Sequence, residues 1–203
     1  MTSRPRLLIA THNKGKLREL TELLGDVPYE LVSLGDLEIH HDVDETGVTF
    51  EQNAILKAET YCTLAGIKTL ADDSGLEVDA LGGEPGVRSA RYAGPDATDA
   101  ERVEFLLDKL DGIHPEAWSA RFRCVIAIAE PNRPTSLYQG SCEGRIVSEP
   151  RGHNGFGYDP VFLFPGISLT MAELSTERKN SVSHRAEAAR EAARSLRGQS
   201  SYT

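Results

Sequence analysis

Apolar residues form short continuous runs in some segments of the chain and recur every three or four positions in others. Arg6–Thr11 is an apolar run that predicts a buried strand, and leucines spaced three and four residues apart predict a helix over Lys14–Leu24. Tyr29–Ser33 predicts a second short strand. The polar stretch Gly35–Gly47, rich in Asp, Glu and His, separates these elements from the next helix.

Two further helices are marked by threonines that can cap a first turn. Thr49 precedes Gln52 with the spacing of a capping box, and the helix that follows has one apolar face until Gly66 ends it. Thr98 opens another predicted helix, which ends near Leu110. An alanine-rich helix is predicted to close the chain.

The remaining apolar runs predict strands. Lys68–Ala71 and Leu76–Ala80 are predicted as two strands joined by a turn, because Asp72–Gly75 consists of residues that favour turns. The other predicted strands are Trp118–Ala129, Thr135–Cys142 and Val161–Phe164.

The combination of helices with both short and long strands predicts an α/β fold with a long mixed sheet and flanking helices. No internal repeat, linker or low-complexity block interrupts the pattern. We therefore predict a single domain over residues 1–198, followed by a frayed tail at 199–203.

Composition limits the location and the partners of the protein. The three cysteines form no C-x-x-C pair, no apolar run is long enough to span a membrane, and the first residues lack the features of a secretion signal. A net charge of −9 without a basic stripe argues against binding to nucleic acid or to a membrane surface. A cytoplasmic protein is predicted. Despite its negative net charge, the protein can bind a phosphorylated metabolite if a divalent cation and a few cationic side chains lie together at the site.

The first candidate site is the turn Thr11–Lys16, between the first strand and the first helix. The N-terminus of a helix presents free N–H groups and a positive dipole end, which together favour an anion. Thr11 and Asn13 can donate hydrogen bonds, and Lys16 can reach a phosphate. The alternative is that Asn13 only caps the helix while the lysines are solvated.

Two pairs of carboxylates form the second candidate site. Asp72 and Asp73 leave an apolar strand, and oxygen ligands of this kind suit Mg²⁺. Successive strand residues point to opposite sides, so these two aspartates are expected to do different jobs. Asp44 and Glu45, in the polar stretch, could supply a further metal ligand. The alternatives are a simple Asp-Ser-Gly turn and an exposed acidic loop.

A glycine-rich loop, Gly152–Gly157, contains Phe156 and is followed at once by Tyr158. Its glycines would let the backbone approach a flat ligand, and a purine could stack on an aromatic face. The order of the glycines, with no helix after them, is not that of a dinucleotide-binding fingerprint. A tight turn with packed aromatic residues is the alternative.

Three cationic or proton-switchable donors precede or begin the last helix. Lys179, His184 and Arg185 could together bind phosphate or base groups. A solvated basic segment, with a histidine that is only structural, is the alternative.

Taken together, these segments resemble the inosine triphosphate pyrophosphatase family, whose members remove non-canonical purine nucleoside triphosphates. The resemblance runs in order from Leu7 to Leu196. The matching motifs are T-x-N-x-x-K at Thr11–Lys16, E-T-G at Glu45–Gly47, A-D-D-S-G-L-x-V-D at Ala71–Asp79, L-G-G-x-P-G-V at Leu81–Val87, S-A-R-Y-A-G at Ser89–Gly94, G-F-G-Y-D-P at Gly155–Pro160, A-E-L at Ala172–Leu174, Lys179, and S-H-R at Ser183–Arg185.

The resemblance implies a role for each residue that matches. It implies that Asp73 is the general base and a Mg²⁺ ligand, that Glu45 is the second ligand, and that Ser74 contacts the substrate. Because Asp44 is also acidic, which of the two neighbours binds metal stays open. The residues implied to bind the triphosphate are Thr11, His12, Asn13, Lys14, Gly15 and Lys16. The residues implied to hold base, sugar and phosphate are Phe156, Gly157, Tyr158, Asp159, Lys179, His184 and Arg185.

The resemblance further implies two lobes on a long curved sheet with the substrate between them, and a homodimer. The implied reaction is Mg²⁺-dependent hydrolysis of ITP, dITP or XTP to the monophosphate and pyrophosphate. Two alternatives stay open. One is a related pyrophosphatase with another base preference, such as modified pyrimidines. The other is a catalytically silent protein that binds purine nucleotides.

Overall fold

The computed structural model describes residues 4–198, which form seven strands and five α-helices. The strands are β1 (Arg6–Ile9), β2 (Glu30–Ser33), β3 (Thr69–Val78), β4 (Ser119–Ala129), β5 (Ser136–Ile146), β6 (Phe162–Phe164) and β7 (Leu169–Thr170). The helices are α1 (Lys14–Leu23), α2 (Phe50–Ala65), α3 (Asp99–Leu110), α4 (Thr176–Val182) and α5 (His184–Leu196). No helix in this range is long and apolar enough to cross a membrane. The frayed tail predicted for 199–203 lies outside the described residues.

The strands form one mixed sheet in the order β2-β1-β3-β4-β5-β6-β7. β1 pairs in parallel with both β2 and β3, whereas β6 pairs antiparallel with both β5 and β7. In the parallel pair of β1 and β3, Ile9 lies opposite Leu70. The turn that follows β1 and the aspartates that follow Leu70 therefore come from neighbouring strands at the same level of the sheet. The predicted α/β fold with a mixed sheet and flanking helices is confirmed.

The chain folds into two compact units, each with its own apolar core. The first unit comprises residues 4–73, 124–140 and 185–198, and its core joins β1, α1 and the alanine-rich face of α5. The second unit comprises Ser74–Arg123 and Ser141–His184, and its core joins α3 to aromatic residues of β4 and β6. The single two-lobed domain with a substrate cleft stays a prediction.

The ends of the helices follow the predicted caps. The side chain of Asn13 accepts a hydrogen bond from the backbone N–H of Lys16 at the start of α1. Thr98 and Glu101 form a complete capping box at the start of α3. Gly66 ends α2 with a φ of +67°, a conformation that costs glycine little because it has no Cβ.

The turn predicted at Asp72–Gly75 is wrong, because β3 is continuous from Thr69 to Val78. Residues of this type favour a turn when their side chains bond to the local backbone. Here the side chains of Asp72 and Asp73 instead form buried contacts with distant residues. Those contacts let the strand continue through four residues whose local preference is to turn.

Other elements also depart from the predicted pattern, and β7 is a two-residue strand that the sequence does not predict. β5 continues past its expected end at Cys142 as far as Ile146, because its last residues pair with β6. The sequence pattern does not predict α4, which is seven residues long and begins at a Ser175 cap. A helix of this length is too short to show a clear apolar period.

Candidate active site

Asp73 is the last residue that β3 contributes to the first unit, and only 4% of it is exposed. Asn53 of α2 donates from Nδ2 to Asp73 Oδ2 at 3.1 Å, and its Oδ1 accepts from the backbone N–H of Gly47 at 2.7 Å. A Cβ at Gly47 would lie 2.5 Å from Asn53 Oδ1, so this close approach requires glycine. One amide therefore ties the E-T-G motif to Asp73.

Lys57 lies one turn after Asn53 on α2, between two carboxylates. Its Nζ is 2.6 Å from Glu45 Oε1 and 3.4 Å from Asp73 Oδ1. Asp44, the alternative metal ligand, is exposed. Glu45 and Asp73 therefore both contact the ammonium group of Lys57, which brings the two carboxylates close to one positive charge.

Burial and neighbouring charges together set the pKa values of Asp73 and Lys57. Burial raises the pKa of Asp73, and the attraction of Lys57 and Lys16 does not cancel that rise. Burial by itself lowers the pKa of Lys57, but the carboxylates of Asp73 and Glu45 outweigh it, so the pKa of Lys57 is raised overall. A carboxylate whose pKa is raised binds a proton more readily, which suits a group that deprotonates water.

Asp72 contacts a different set of residues from Asp73. Its Oδ2 lies 3.1 Å from Lys16 Nζ and 3.4 Å from Arg185 Nε. Arg185 also donates to Glu19 Oε2 at 2.5 Å, and both of these residues are buried. Burial alone would raise the pKa of Asp72, but Lys16 and Arg185 hold that pKa well below its usual range. The two aspartates therefore have different partners, as the strand alternation predicts.

The turn Thr11–Lys16 connects β1 to α1 and combines two features. Asn13 caps α1, so the free N–H groups of the helix begin at this turn. His12 packs against α2, with its Nε2 3.3 Å from the Tyr61 hydroxyl and 3.1 Å from the carbonyl oxygen of His41. Capping and anion binding are compatible here, because the cap uses only one of the first N–H groups.

The carboxylates of Glu45 and Asp73 fit the needs of Mg²⁺. Among residues 4–198, no group of three or more His, Cys, Asp or Glu side chains is placed to hold a metal ion. Mg²⁺ is usually bound through one or two carboxylates, with water and substrate phosphates completing its octahedron. An oxygen pair that converges on one cation therefore suits a Mg²⁺ ion that binds with a phosphorylated substrate.

In the second unit, the glycine-rich loop Gly152–Gly157, which carries Phe156 and is called the aromatic loop below, wraps around a buried ion pair. Asp159 Oδ2 accepts from the backbone N–H of Phe156 at 2.9 Å and from Lys179 Nζ at 2.5 Å. Lys179 Nζ also lies 5.0 Å from the centre of the Phe156 ring. Gly155 has a φ of +77°, and a Cβ there would lie 1.9 Å from Asp159 Oδ2. Only glycine allows the loop to close this tightly around the carboxylate.

The other residues predicted to hold the base differ in exposure. The Tyr158 hydroxyl donates to the carbonyl oxygen of Ser89 at 2.9 Å. The His184 ring stacks on Phe122, with ring centres 4.7 Å apart. Ser74, Phe156 and Gly157 are half-buried. The buried members of the predicted set are Tyr158, Asp159, Lys179, His184 and Arg185.

Sequence reasoning misses three residues of these networks. Asn53 and Lys57 lie four positions apart on the inward face of α2, and a polar pair on an otherwise apolar helix face is a signal that could have revealed them. Glu19 carries no such signal. Its partner Arg185 is 166 positions away in the sequence, so only the tertiary fold brings the two together.

Comparisons with known proteins agree on one family. The family model described as the Ham1 family matches residues 7–195. The dITP/XTP pyrophosphatases of Bacillus licheniformis and Bacillus subtilis are 52% and 48% identical, over 90% and 89% of this chain and 93% and 91% of theirs. Ham1 proteins of Staphylococcus aureus and Coxiella burnetii have similar structures, each at 42% identity, with TM-scores of 0.85 and 0.86. These matches cover 96% and 95% of this chain, and 100% and 98% of those chains.

Proposed function

The chain belongs to the Ham1 family, and we propose that it is a Mg²⁺-dependent pyrophosphatase of non-canonical purine nucleoside triphosphates. The substrates are ITP, dITP and XTP, and the products are the monophosphate and pyrophosphate. The observation that carries this proposal is the buried carboxylate of Asp73, which shares the cation of Lys57 with Glu45. The names of the two Bacillus relatives, dITP/XTP pyrophosphatase, support this substrate class.

The turn Thr11–Lys16 and two lysines supply the groups for the triphosphate. The turn Thr11–Lys16 offers the N–H groups and the positive end of α1 to the phosphates. Lys16 and Lys57 carry compact charges on flexible stems, and both are already held near Asp73 or its neighbour Asp72. Their charges offset the negative charge of the phosphates as the bond breaks.

Asp73 acts as the general base. Its carboxylate takes a proton from a water molecule while that water attacks the α-phosphorus. The bond from the α-phosphorus to the bridging oxygen breaks, and pyrophosphate leaves with the electron pair. Asn53 keeps the carboxylate oriented through its bond to Oδ2. A Mg²⁺ ion held by Glu45 and Asp73 would polarise the phosphate oxygens and neutralise charge.

The loop around Phe156 supplies the groups for the purine. Phe156 is half-buried, and we assign to its ring a stacking contact with the purine, which is worth about 1–3 kcal/mol per base. The backbone N–H groups of Phe156 and Gly157 donate hydrogen bonds to Asp159 and Asp99. These bonds would have to break before either N–H group could bind the edge of the base. We therefore assign stacking to the loop. Polar recognition of the base is assigned to Lys179, because its ammonium has three donors, whereas each backbone amide has only one.

The proposed reaction predicts a specific set of products. With Mg²⁺ present, ITP, dITP and XTP should each give the monophosphate and pyrophosphate in equal amounts from the first turnover. ATP should react about 10⁴-fold less efficiently, because its amino group presents a donor where these bases present an acceptor. Initial rates are measured by chromatography on a nucleotide panel without added inorganic pyrophosphatase. A chelator should abolish turnover, and added Mg²⁺ should restore it.

The same panel separates the alternatives. Orthophosphate as the first product, together with a nucleoside diphosphate, would contradict the proposed bond cleavage. Preferred turnover of modified pyrimidine triphosphates would favour a related pyrophosphatase with another base preference. Tight binding of ITP without turnover in Mg²⁺ would indicate a silent nucleotide-binding protein.

Stacking on Phe156 should give affinity without selectivity, because every purine has a face. We expect the Phe156→Ala variant to lower kcat/KM for ITP and GTP by a similar factor of about 10 to 100 and to leave their ratio unchanged. The two values of kcat/KM are measured in wild type and variant under identical conditions.

Phe105 provides the matched control for this variant, because its ring also lies about 5 Å from a lysine ammonium, at 5.2 Å from Lys109 Nζ. Phe105→Ala should leave both rates near wild type. An ITP/GTP ratio that changes in Phe156→Ala would mean that the aromatic loop itself sets base selectivity.

The family resemblance also supports a homodimer in the cytoplasm. Sedimentation equilibrium of the purified chain would test the assembly directly, with a mass of twice 22.2 kDa expected. A monomer at micromolar concentration would contradict this part of the proposal while leaving the chemistry untouched.

A further inference from the structure

We propose that Asp99, braced by Arg102, is a positioning residue for the aromatic loop. Asp99 lies in the first turn of α3, and its Oδ2 accepts a hydrogen bond from the backbone N–H of Gly157 at 2.7 Å. Gly157 directly follows Phe156 and has a φ of +62°. This bond therefore fixes the backbone next to the ring that is proposed to stack on the purine, and the inference rests on that proposed function.

Arg102 holds Asp99 in place from the next turn of the helix. Its guanidinium forms an ion pair with Asp99 and donates to the carbonyl oxygens of Ala90 and Ala97, at 2.6 and 2.7 Å. One terminal nitrogen thus binds two carbonyls while the other binds the carboxylate. A guanidinium with three fixed acceptors has little freedom, so it orients the Asp99 carboxylate toward Gly157.

Ser89, which directly precedes Ala90, provides a second connection to the aromatic loop. Its carbonyl oxygen accepts from the Tyr158 hydroxyl, and its Oγ accepts from the backbone N–H of Leu76 in β3 at 2.9 Å. The S-A-R-Y-A-G motif, which has no assigned role in the reaction, therefore connects β3 to the loop. Asp99 adds to this support at Gly157, which has no side chain of its own to anchor it.

Packing alone does not hold Gly157. The residue borders a mainly apolar cavity of about 440 Å³, which is also lined by Val103, Leu107 and Pro160. Space on that side leaves room for the loop to shift if the bond to Asp99 is lost. Because ordering the backbone of one residue costs free energy equivalent to roughly tenfold in affinity, a mobile loop should bind the base about tenfold more weakly.

The test uses the Asp99→Ala variant of the full chain with two ligands. Affinity for IMP, measured by calorimetry, reports on the base, whereas competitive inhibition by inorganic tripolyphosphate with Mg²⁺ reports on the phosphate groups alone. We expect the affinity for IMP to fall and KM for ITP to rise, each about tenfold. The inhibition constant of tripolyphosphate should stay unchanged, and kcat should change by less than about threefold.

Two further variants separate positioning from general damage. Asp99→Asn keeps an oxygen acceptor for Gly157 and should recover at least half of the lost IMP affinity on a logarithmic scale. Asp111→Ala, at an exposed carboxylate directly after the same helix and outside the cavity lining, should behave as wild type. Unchanged IMP affinity in Asp99→Ala, or an equal weakening of tripolyphosphate, overturns the inference. IMP binding needs no turnover, so it remains decisive even if the wild type fails to hydrolyse ITP.

Discussion

Asp73→Asn should lose turnover by about 10² to 10⁴, the range typical of removing a general base. The substitution leaves the volume and an acceptor for Asn53 in place, so the loss reports on the carboxylate itself. It also removes one of the two carboxylates proposed to hold Mg²⁺, which places the loss toward the upper end. The measurement is kcat for ITP at saturating Mg²⁺.

The folded state should tolerate this change well. Burial raises the pKa of Asp73, so ionising it opposes folding, and its contribution to stability falls as the pH rises above the ordinary value of 3.8. A neutral Asn should therefore leave the urea midpoint at pH 7 at or above that of wild type. Asp79→Asn, at an exposed carboxylate just after β3, is the control and should keep near-normal kcat. Wild-type turnover in Asp73→Asn would remove Asp73 from the mechanism.

Arg185→Met should cost about 3–5 kcal/mol of unfolding free energy, the range for breaking a buried ion pair from one side. Arg185 is 2% exposed, and its loss leaves Glu19 and Asp72 buried without its charge. Methionine fills a similar volume, so little unfolding free energy is lost through a cavity. The measurement is urea unfolding at pH 7, before any assay of activity.

Arg194→Met in the same helix is the matched control. Arg194 pairs with Glu191 at the surface, and such pairs contribute less than about 1 kcal/mol. The pH dependence gives a second check: because the pKa of Asp72 is lowered in the folded protein, its stabilisation is complete above pH 3.8 and is lost as the pH falls below it. Arg185→Met should show a weaker loss in that acid range. Equal stability of the two methionine variants at pH 7 would show that the buried network contributes nothing.

The sequence predicts the elements whose signals are local. The caps of α1 and α3 and the glycine that ends α2 are formed by residues within a few positions of each other, and all three occur as predicted. The different hydrogen-bond and ion-pair partners of Asp72 and Asp73 also agree with strand alternation. The sequence therefore locates the turn Thr11–Lys16 between β1 and α1 correctly, but it assigns Asp72 and Asp73 to a turn, whereas both lie inside β3.

What the sequence could not predict depends on partners far along the chain. Asp72–Gly75 favours a turn locally, yet β3 continues because Lys16 and Arg185 hold Asp72 while Asn53 holds Asp73. The bond from Asp99 to Gly157 spans 58 positions and has no periodic pattern. Interactions of this kind are decided by tertiary packing, which overrides local preference.

The position of the attacked phosphorus is tested most directly by hydrolysing ITP in H₂¹⁸O with Mg²⁺ and analysing both products by mass spectrometry. If the water activated by Asp73 attacks the α-phosphorus, the label enters IMP and the pyrophosphate carries none. Label in the pyrophosphate, or in orthophosphate released first, would place the attack on another phosphorus and contradict the proposed reaction.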